Sequence, residues 1–415
     1  MNKLRIVVTG FIGLYPTGGV TWDYIQYPLG LKLLGHDVYY IEDTLQFPKY
    51  QKEGRPWNDA TDSIEYLATV MNEFGLNDRW AYRDVATGNC YGLSINKVLE
   101  ICRTADVFIN VSASAFLREE YLSIPKRVLI DSDPMFTQIE YLRQKELNAG
   151  KSPYKMDFLV ENHNYLFSFG ENFGQTDCLI PSCGFHWHMT RQPVCLNHWQ
   201  PAPLTESKSF TTVMNWSVSP DLVFGGTTWG QKNSEFEKIL GIPSRFPGLS
   251  FALMVSNMLP EKKEEVRNAG WRVLDPLSAI TTSEDYKAFL VSSAAEFSVA
   301  KQTYVKANTG WFSCRSACYL ALGKPVVTQE TGWSKYIPAG EGLFAFSTFD
   351  SAAEAVARIK ERPAFHAKKA RTLAEEFFNS DKVLSKLLEE INHRSQTQKT
   401  NGDALDLKAF DPQYK

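Results

Sequence analysis

The sequence predicts an α/β protein with two Rossmann-like domains that face each other across a cleft. Three observations predict this class. Short β-branched segments alternate with helical segments, which is the pattern of parallel sheets covered by helices. The alternation stops in a proline-rich stretch over 193–208 and then begins again. The chain of 415 residues is long enough for two to three domains. We therefore expect domains at 1–205 and 206–385, followed by a helix end and polar tail at 386–415.

The first elements form a βαβ unit. A strand is predicted over 4–8, and a glycine-bearing loop follows it. A helix is then predicted over 20–34, with Gly35 as its left-handed stop. A second strand is predicted over 36–41. In such units, ligands bind at the carboxyl edge of the strands.

The remaining elements continue the alternation in both halves. Further strands are predicted over 105–111, 126–131 and 165–169, and then over 210–214, 250–255, 271–274 and 325–328. Residues 292–301 are predicted to be a loop. Helices are predicted over 352–361 and 363–391, and we expect the second to cross back to the first domain. From Arg394 onward the chain is polar and predicted to fray.

Composition excludes several classes of protein. Lys and Arg number 44 against 47 Asp and Glu, a net charge of −3, which argues against a nucleic-acid partner held by a broad basic surface. No window offers about 18 continuous apolar residues, so no transmembrane segment is expected. Seven cysteines without a secretory signal indicate a reducing, cytoplasmic location. Contact with a membrane surface and the oligomeric state stay open.

A glycine pair stands before the first helix. Gly18 and Gly19 would let backbone N–H groups approach an anion at the helix N-terminus, although a tight turn explains the pair equally well. The segment from Gly18 to Gly35-His36-Asp37-Val38 resembles the opening of many glycosyltransferases of the GT-B fold. Residues 8–13 instead resemble the nucleotide loop of extended short-chain dehydrogenases, with Tyr141 and Lys145 as a Tyr-x-x-x-Lys pair. Pro16 departs from that second pattern.

The stretch 309–332 is the most informative part of the chain. Ser313 or a neighbour is placed to cap a helix that runs to about 322, and a buried strand then follows. The start of this helix, with Ser313, Arg315 and Ser316, is suited to a diphosphate, because arginine forms forked hydrogen bonds. Polar residues at the carboxyl end of the strand, over 329–332, are placed to bind sugar hydroxyls.

This stretch, with Gly-Trp-Phe-Ser-x-Arg-Ser and Gly-Lys-Pro-Val-Val, resembles the donor-binding region of GT-B glycosyltransferases and, more closely, a bacterial branch of that superfamily. The resemblance implies a nucleotide-sugar donor held by the C-terminal domain and an acceptor held by the N-terminal domain. It also implies a lysine against the donor diphosphate, for which Lys232 is the candidate. The donor-binding residues we expect are Gly18, Gly19, Lys232, Glu296, Lys301, Gly310, Ser313, Arg315, Ser316, Glu330, Thr331 and Gly332. The paired glutamates of many retaining members would fall on Gly310 and Cys318, so the stereochemical outcome stays open.

A transferase of the inverting type needs a general base to take the proton of the acceptor hydroxyl. Asp133 follows a predicted strand end in Asp131-Ser132-Asp133. Asp23 lies one turn after the glycine pair, and His163 stands just before a strand. Asp133 and Asp23 are the leading candidates, although loop capping by Asp131 or Asp133 is the more ordinary interpretation of each.

No metal or resident cofactor is expected. The spacing of Cys178, Cys183, His186 and His188 matches no closed zinc site. The sequence therefore predicts a metal-independent glycosyltransferase that moves a sugar from a nucleotide-diphosphate sugar, such as a UDP sugar, to a hydroxyl or amine of a small-molecule or glycan acceptor. The alternatives are an NAD(P)-dependent short-chain dehydrogenase or epimerase, a nucleotide-sugar 2-epimerase of the same fold, and a non-catalytic member that only binds a sugar nucleotide.

Overall fold

The protein is described by a computed structural model that covers residues 2–146, 156–203 and 207–393. Two sheets dominate it, one in each half of the chain. The predicted tail from Arg394 lies outside the described residues. The α/β class with two Rossmann-like halves is confirmed.

Eight strands of the described chain form the N-terminal sheet, in the order β4-β3-β2-β1-β5-β6-β7-β8. All neighbouring pairs are parallel except β3 and β4. The strands are β1 (Arg5–Thr9), β2 (Asp37–Glu42), β3 (Trp80–Arg83), β4 (Cys90–Gly92), β5 (Val107–Val111), β6 (Lys126–Asp131), β7 (Tyr165–Ser168) and β8 (Trp187–Met189).

The C-terminal sheet has six described strands, all parallel, in the order β13-β12-β9-β14-β15-β16. They are β9 (Ser209–Asn215), β12 (Ser250–Ser256), β13 (Trp271–Leu274), β14 (Ala295–Ser298), β15 (Val326–Gln329) and β16 (Leu343–Phe346). A separate antiparallel hairpin pairs β10 (Leu222–Phe224) with β11 (Thr227–Trp229).

Helices cover both sheets, as parallel strands require. The N-terminal half has α1 (Gly18–Leu33), α2 (Thr61–Glu73), α3 (Ile95–Thr104), α4 (Glu119–Leu122), α5 (Phe136–Glu146) and α6 (Met156–Asn162). The C-terminal half has α7 (Lys232–Glu237), α8 (Ile242–Arg245), α9 (Pro260–Asn268), α10 (Pro276–Ala279), α11 (Ser283–Val291), α12 (Gln302–Lys306), α13 (Cys314–Ala321), a 3-10 turn (Trp333–Lys335), α14 (Phe349–Glu361), α15 (Pro363–Phe377) and α16 (Ser380–His393).

The chain end crosses back to the N-terminal half, as expected, but in two helices rather than one. The single helix predicted over 363–391 is wrong, because the chain breaks between α15 and α16. There Val194 donates to the carbonyl of Phe378 over 2.7 Å and accepts from the amide of Ser380 over 2.9 Å. Helix α16 then lies on α1, where Leu384 and Ser380 contact Gly30.

The proline-rich segment is packed rather than loose. Val194, Cys195 and Trp199 are fully buried, and the rings of Trp199 and Trp22 lie 4.6 Å apart. The amide of Cys195 also donates to the side chain of Gln26 over 2.9 Å. Val194, Cys195 and Trp199 of the connection between the two sheets therefore belong to the core of the protein.

The loop predicted over 292–301 is wrong in its middle. Ala295–Ser298 forms β14, which pairs with β9 and β15 near the centre of the C-terminal sheet. Its four residues are all buried, Glu296 included. A charged residue inside a four-residue strand conceals the apolar run that would otherwise indicate a buried strand.

Candidate functional site

The carboxyl ends of the two sheets face each other, and the residues there come from both halves. After β6, Asp133 meets Lys301 from the segment after β14. After β1, the amide of Gly18 donates to the carbonyl of Ile280, just before α11. A cavity of about 390 Å³ opens at this junction, lined among others by Phe11, Tyr24, Asp133, Phe136 and Leu222. This is the position at which open α/β sheets bind ligands.

An ion pair is buried on the C-terminal side of the junction. Nε of Arg315, in the first turn of α13, donates to Oε1 of Glu296 over 2.5 Å. The two remaining guanidinium nitrogens donate to the carbonyl of Val213 and the hydroxyl of Ser298. Burial acts to lower the pKa of Arg315, but the Glu296 carboxylate keeps it above its ordinary value. The arginine predicted to meet a diphosphate therefore joins α13 to β9 and β14.

Two further charged groups stand at the junction without a direct partner. Within the described part of the chain, neither the ammonium of Lys232 nor the carboxylate of Asp23 has a hydrogen bond or an ion pair. Burial raises the pKa of Asp23 to about 7, against the opposing charges of Arg315 and Lys232. Burial also lowers the pKa of Lys232 to about 7, and the charges of Arg315 and Lys301 act in the same direction. The structure thus places both Asp23 and Lys232 within the electrostatic reach of Arg315, although they lie far apart in the sequence.

The third pair joins the two halves. Nζ of Lys301 lies 2.5 Å from Oδ1 of Asp133, and the hydroxyl of Tyr304 donates to the same oxygen. Burial acts to raise the pKa of Asp133, but Lys301 and the hydrogen bond from Tyr304 outweigh it and lower that pKa. Asp133 is therefore held ionised and paired, which makes it a weak base.

Asp131 and His163 serve the N-terminal core. The Asp131 carboxylate accepts hydrogen bonds from Thr137, Gln138 and Ser168. His163 is buried beneath the sheet, with Nδ1 2.7 Å from the carbonyl of Leu159, and burial lowers its pKa to about 4. The structure does not bring His163 to the junction.

The glycine pair lies where the two halves meet most closely. The amide of Gly18 donates to the carbonyl of Ile280 over 3.3 Å. A Cβ on Gly18 would lie 2.0 Å from the carbonyl oxygen of Thr282, and a Cβ on Gly19 would lie 3.2 Å from the ring of Tyr286. The backbone of α1 is thus packed on the start of α11. This close contact differs from both sequence interpretations of the glycine pair, a tight turn and an anion-binding loop.

Gly310 also serves a close contact between the halves. Its φ is +78°, and a Cβ there would lie 2.3 Å from the amide nitrogen of Asn172. That amide donates to the carbonyl of Thr309 over 3.1 Å. A side chain at 310 would separate the two loops.

The loop after β15 is ordered by its own side chains. Oε1 of Glu330 accepts from the amides of Thr331 and Gly332 over 3.0 and 2.6 Å. The Thr331 hydroxyl donates to the carbonyl of Trp311 over 2.6 Å. These interactions shape the loop predicted to meet the sugar and leave the second oxygen of the Glu330 carboxylate outside the turn.

The start of α13 contains buried polar atoms that lack partners. Ser313 is the N-cap residue, as predicted, but its side chain makes no capping hydrogen bond. Among the described residues, the hydroxyl of Ser316 and Oε2 of Glu296 are buried without a hydrogen bond. Buried polar atoms of this kind normally find a partner, so these groups mark a place where a polar ligand is expected.

The residues of the dehydrogenase interpretation lie elsewhere. The hydroxyl of Tyr141 lies 3.2 Å from Glu161, and Nζ of Lys145 lies 2.6 Å from the same carboxylate. Both residues are on α5, and both contact Glu161 of α6. In addition, no three His, Cys, Asp or Glu side chains across 2–146, 156–203 and 207–393 are grouped so that they could hold a metal ion.

Tyr304 and Trp311 also belong to the junction, although the sequence did not predict them as site residues. Their rings lie 4.5 Å apart, and the indole of Trp311 donates to the carbonyl of Ser132 over 3.1 Å. Tyr304 follows Lys301 by three residues, and α12 turns both toward Asp133. That helical spacing is the signal that could have identified it.

Two facing Rossmann-like halves with a junction between their carboxyl edges define the GT-B fold. Among solved structures, an alpha-glucosyltransferase in complex with UDP and a 13-mer DNA superimposes with a TM-score of 0.57 at 13% identity, covering 94% of this chain and 100% of that one. HepE from Anabaena, in complex with UDP and glucose, gives 0.53 at 10% identity over 94% and 100%. Sucrose-phosphate synthase from Thermosynechococcus elongatus gives 0.50 at 10% over 94% and 99%. No family model and no curated protein matches the sequence.

None of the helices that the structure describes is both long and apolar enough to cross a membrane.

Proposed function

We propose that this protein is a glycosyltransferase that moves a sugar from a nucleotide-diphosphate sugar to a hydroxyl or amine of an acceptor, without a bound metal. The observation that carries the proposal is that an ammonium, Lys232, and a carboxylate, Asp23, both lie near Arg315 at the junction of a GT-B fold, and that neither has a direct partner among the described residues. Such a transfer needs a cation for the leaving diphosphate and a base for the acceptor.

Lys232 is the group we assign to the diphosphate. Its ammonium is half-buried and has no carboxylate of its own among the described residues, so a phosphate would supply the missing counter-charge. The unpartnered hydroxyl of Ser316 and the N-terminal amides of α13 add neutral donors. In this arrangement Arg315 positions Glu296 and α13. UDP is the nucleotide we propose, because two solved proteins with this fold hold it.

Asp23 is the group we assign to the base. As the acceptor oxygen forms its bond to the anomeric carbon, its proton passes to the Asp23 carboxylate, and the bond from that carbon to the diphosphate oxygen breaks. A base whose pKa lies near the working pH is the most effective. Asp133 is less suited to this role, because Lys301 and Tyr304 bind one oxygen of its carboxylate and lower its pKa.

The proposal of metal independence rests on carboxylates that already bind other groups of the protein. Asp131-Ser132-Asp133 is the Asp-x-Asp beside a strand end. Both oxygens of Asp131 accept hydrogen bonds within the protein, and one oxygen of Asp133 is paired with Lys301. We propose that Lys232 and backbone amides neutralise the diphosphate instead, so that transfer survives EDTA. A requirement for added Mg²⁺ or Mn²⁺ would refute this part of the proposal.

The proposal is tested by thermal unfolding with UDP, UDP sugars, GDP sugars and NAD(P)H. A ligand at 100 times its dissociation constant adds about 2.7 kcal/mol to the free energy of unfolding. We expect UDP compounds to stabilise the wild type. Lys232→Met should weaken UDP binding by about 1.5–3 kcal/mol, the contribution of a charge-assisted hydrogen bond. Lys360→Met, an exposed position on α14, is the matched control and should bind UDP normally.

Other outcomes separate the alternatives. Stabilisation by NAD(P)H alone would indicate a dehydrogenase. Conversion of the UDP sugar to its epimer, with no transfer to any acceptor, would indicate a 2-epimerase of the same fold.

A further inference from the structure

A line of aromatic rings leads from the junction cavity to the protein surface. Tyr24 and Phe11 line the cavity, with ring centroids 5.6 Å apart. Phe11 is followed by Tyr15 at 5.8 Å, and Tyr15 by Tyr50 at 6.4 Å. Exposure rises along the line, from buried Tyr24 to Tyr50, which is 40% exposed. The rings thus connect the interior of the candidate site with solvent.

The line ends in a surface loop, residues 44–58, that displays more aromatic surface. Trp57 is 67% exposed and Phe47 is 37% exposed, although their rings pack together at 4.6 Å. The side-chain amide of Gln51 donates to the carbonyls of Pro48 and Trp57 over 2.9 and 2.7 Å. These bonds hold the loop in shape. The exposed rings are therefore held by a loop that has a defined conformation.

The charges around this loop do not suit an anionic membrane. Lys52 lies 3.3 Å from Asp62, and Arg55 lies 3.1 Å from the same residue. Arg55 also reaches Asp59 at 3.4 Å. Only Lys49 of the three cations in 44–58 lacks such a pair within the described chain, so little positive charge is left for lipid phosphates.

Aromatic rings flanked by amides and paired charges suit a ligand that has both apolar faces and many hydroxyls. Sugar rings have this character, because their C–H faces pack on aromatic rings while their hydroxyls bond to polar groups. At the inner end, Glu140 lines the cavity and is 43% exposed, although its carboxylate already accepts from the side-chain amide of Gln144 over 2.6 Å.

We propose that Tyr15, Tyr50 and Trp57 form an extended acceptor site that holds a glycan chain, so that the acceptor is an oligosaccharide or polysaccharide rather than a small free molecule. This proposal rests on the proposed function, since it assigns the acceptor of that same transfer. The chain end enters the cavity at Tyr24, the residue after Asp23 in α1, and the preceding sugar units stack on the rings outward to Trp57.

The test measures glycan binding and nucleotide binding separately on the full-length protein. A microarray of glucan, mannan, galactan and uronan oligosaccharides, each in short and long forms, is probed with the wild type. Retention should increase with oligosaccharide length. Trp57→Ala and Tyr50→Ala should each weaken binding to the retained glycan by about tenfold, as expected for an aromatic anchor. Trp57→Phe keeps a ring and should lose much less.

The controls show whether a negative result concerns the extended acceptor site or the proposed function. Leu277→Ala removes an equally exposed apolar side chain on α10 and should change nothing. UDP affinity should be the same in all these variants. If the wild type binds UDP but retains no glycan, or if Trp57→Ala and Tyr50→Ala bind glycan normally, the extended site is overturned while the proposed function stands. If the variants instead lose binding to phosphatidylglycerol vesicles, the loop is a membrane contact and this inference is also overturned. Absence of UDP binding in the wild type would overturn the proposed function itself.

Discussion

The two groups at the junction whose pKa values both lie near 7, Asp23 and Lys232, determine the expected pH dependence. The base must be ionised, so kcat/KM rises as pH increases through about 7. The cation must be protonated, so kcat/KM falls as pH increases through the pKa of Lys232, also about 7 in the free protein. The expected pH profile of kcat/KM is therefore a narrow bell.

Substitutions separate the two limbs. Lys232→Arg keeps a charge that does not titrate in this range, so the alkaline limb should move to higher pH while the acid limb stays. Asp23→Asn should lower kcat by a factor of about 10²–10⁴, the contribution of a positioned base. Asp78→Asn, an exposed carboxylate, is the control. A wild-type profile that is flat between pH 6 and 8 would contradict both assignments.

Stability gives a readout for Asp23 that is independent of catalysis. Its pKa is raised on folding from 3.8 to about 7, so the folded state binds more protons between these values. The free energy of unfolding should therefore fall as pH rises from about 4 to 7. Asp23→Asn should remove that part of the slope in urea titrations, and an unchanged slope would show that Asp23 is not buried as described.

Arg315 is expected to act through structure. Arg315→Ala leaves Glu296 buried without its partner, which costs about 3–5 kcal/mol of unfolding free energy. Glu296→Gln in the same chain should recover part of this loss, because it removes the unpaired charge. The measurement is chemical unfolding of the wild type, the single variant and the double variant. Equal losses in the single and double variants would indicate that the pair is not coupled.

For single residues, the sequence predicts which residues lie at the junction better than it predicts what each residue does there. Asp23, Asp133, Lys232, Lys301 and Arg315 were all proposed from sequence, and the structure places each at the junction. The pairing of Lys301 with Asp133 was not predictable, because the two residues meet only through a contact between the halves. His163 was proposed because it precedes a strand, whereas the expected ligand edge lies where strands end.

The packing of α1 on α11 gives a prediction about an element. Gly18→Ala adds a Cβ that would lie 2.0 Å from the carbonyl oxygen of Thr282. The backbone at Thr282 can relieve this clash only if the two halves move apart. We expect a loss of about 1–3 kcal/mol in unfolding free energy, the usual effect of overpacking.

Gly19→Ala is the matched control, one residue along the same helix. Its Cβ would meet only the ring of Tyr286 at 3.2 Å, and alanine favours a helix over glycine by about 1 kcal/mol. Urea unfolding should therefore separate the two variants clearly. Similar midpoints for both would mean that α1 is not packed on Thr282 as described.

Elements were predictable from sequence where periodicity and a stop signal agreed. The strands near 5–9, 126–131 and 326–329 and the left-handed stop at Gly35, with φ +88°, were found in this way. Strand β14 and the break before α16 were not, because each depends on a partner remote in sequence. Arg315 neutralises the charge inside β14, and Val194 pairs at the break.

The whole molecule has two sheets but a shared core. One continuous apolar cluster includes Trp22 and Phe167 of the N-terminal half, Tyr286 and Trp333 of the C-terminal half, and Leu384 of α16. The connecting segment adds Trp199 to the same cluster. Because neither half can close this core alone, the halves should lose their structure together.

We therefore expect a single calorimetric transition, with a calorimetric enthalpy equal to the van't Hoff enthalpy. Two separable domains would give two peaks, and a nucleotide bound only to the C-terminal half would move one of them. With a shared core, saturating UDP should raise the midpoint of the whole transition while its shape is kept. Two resolved peaks, of which UDP moves only one, would show that the halves are joined by the chain and a few polar contacts rather than by common packing.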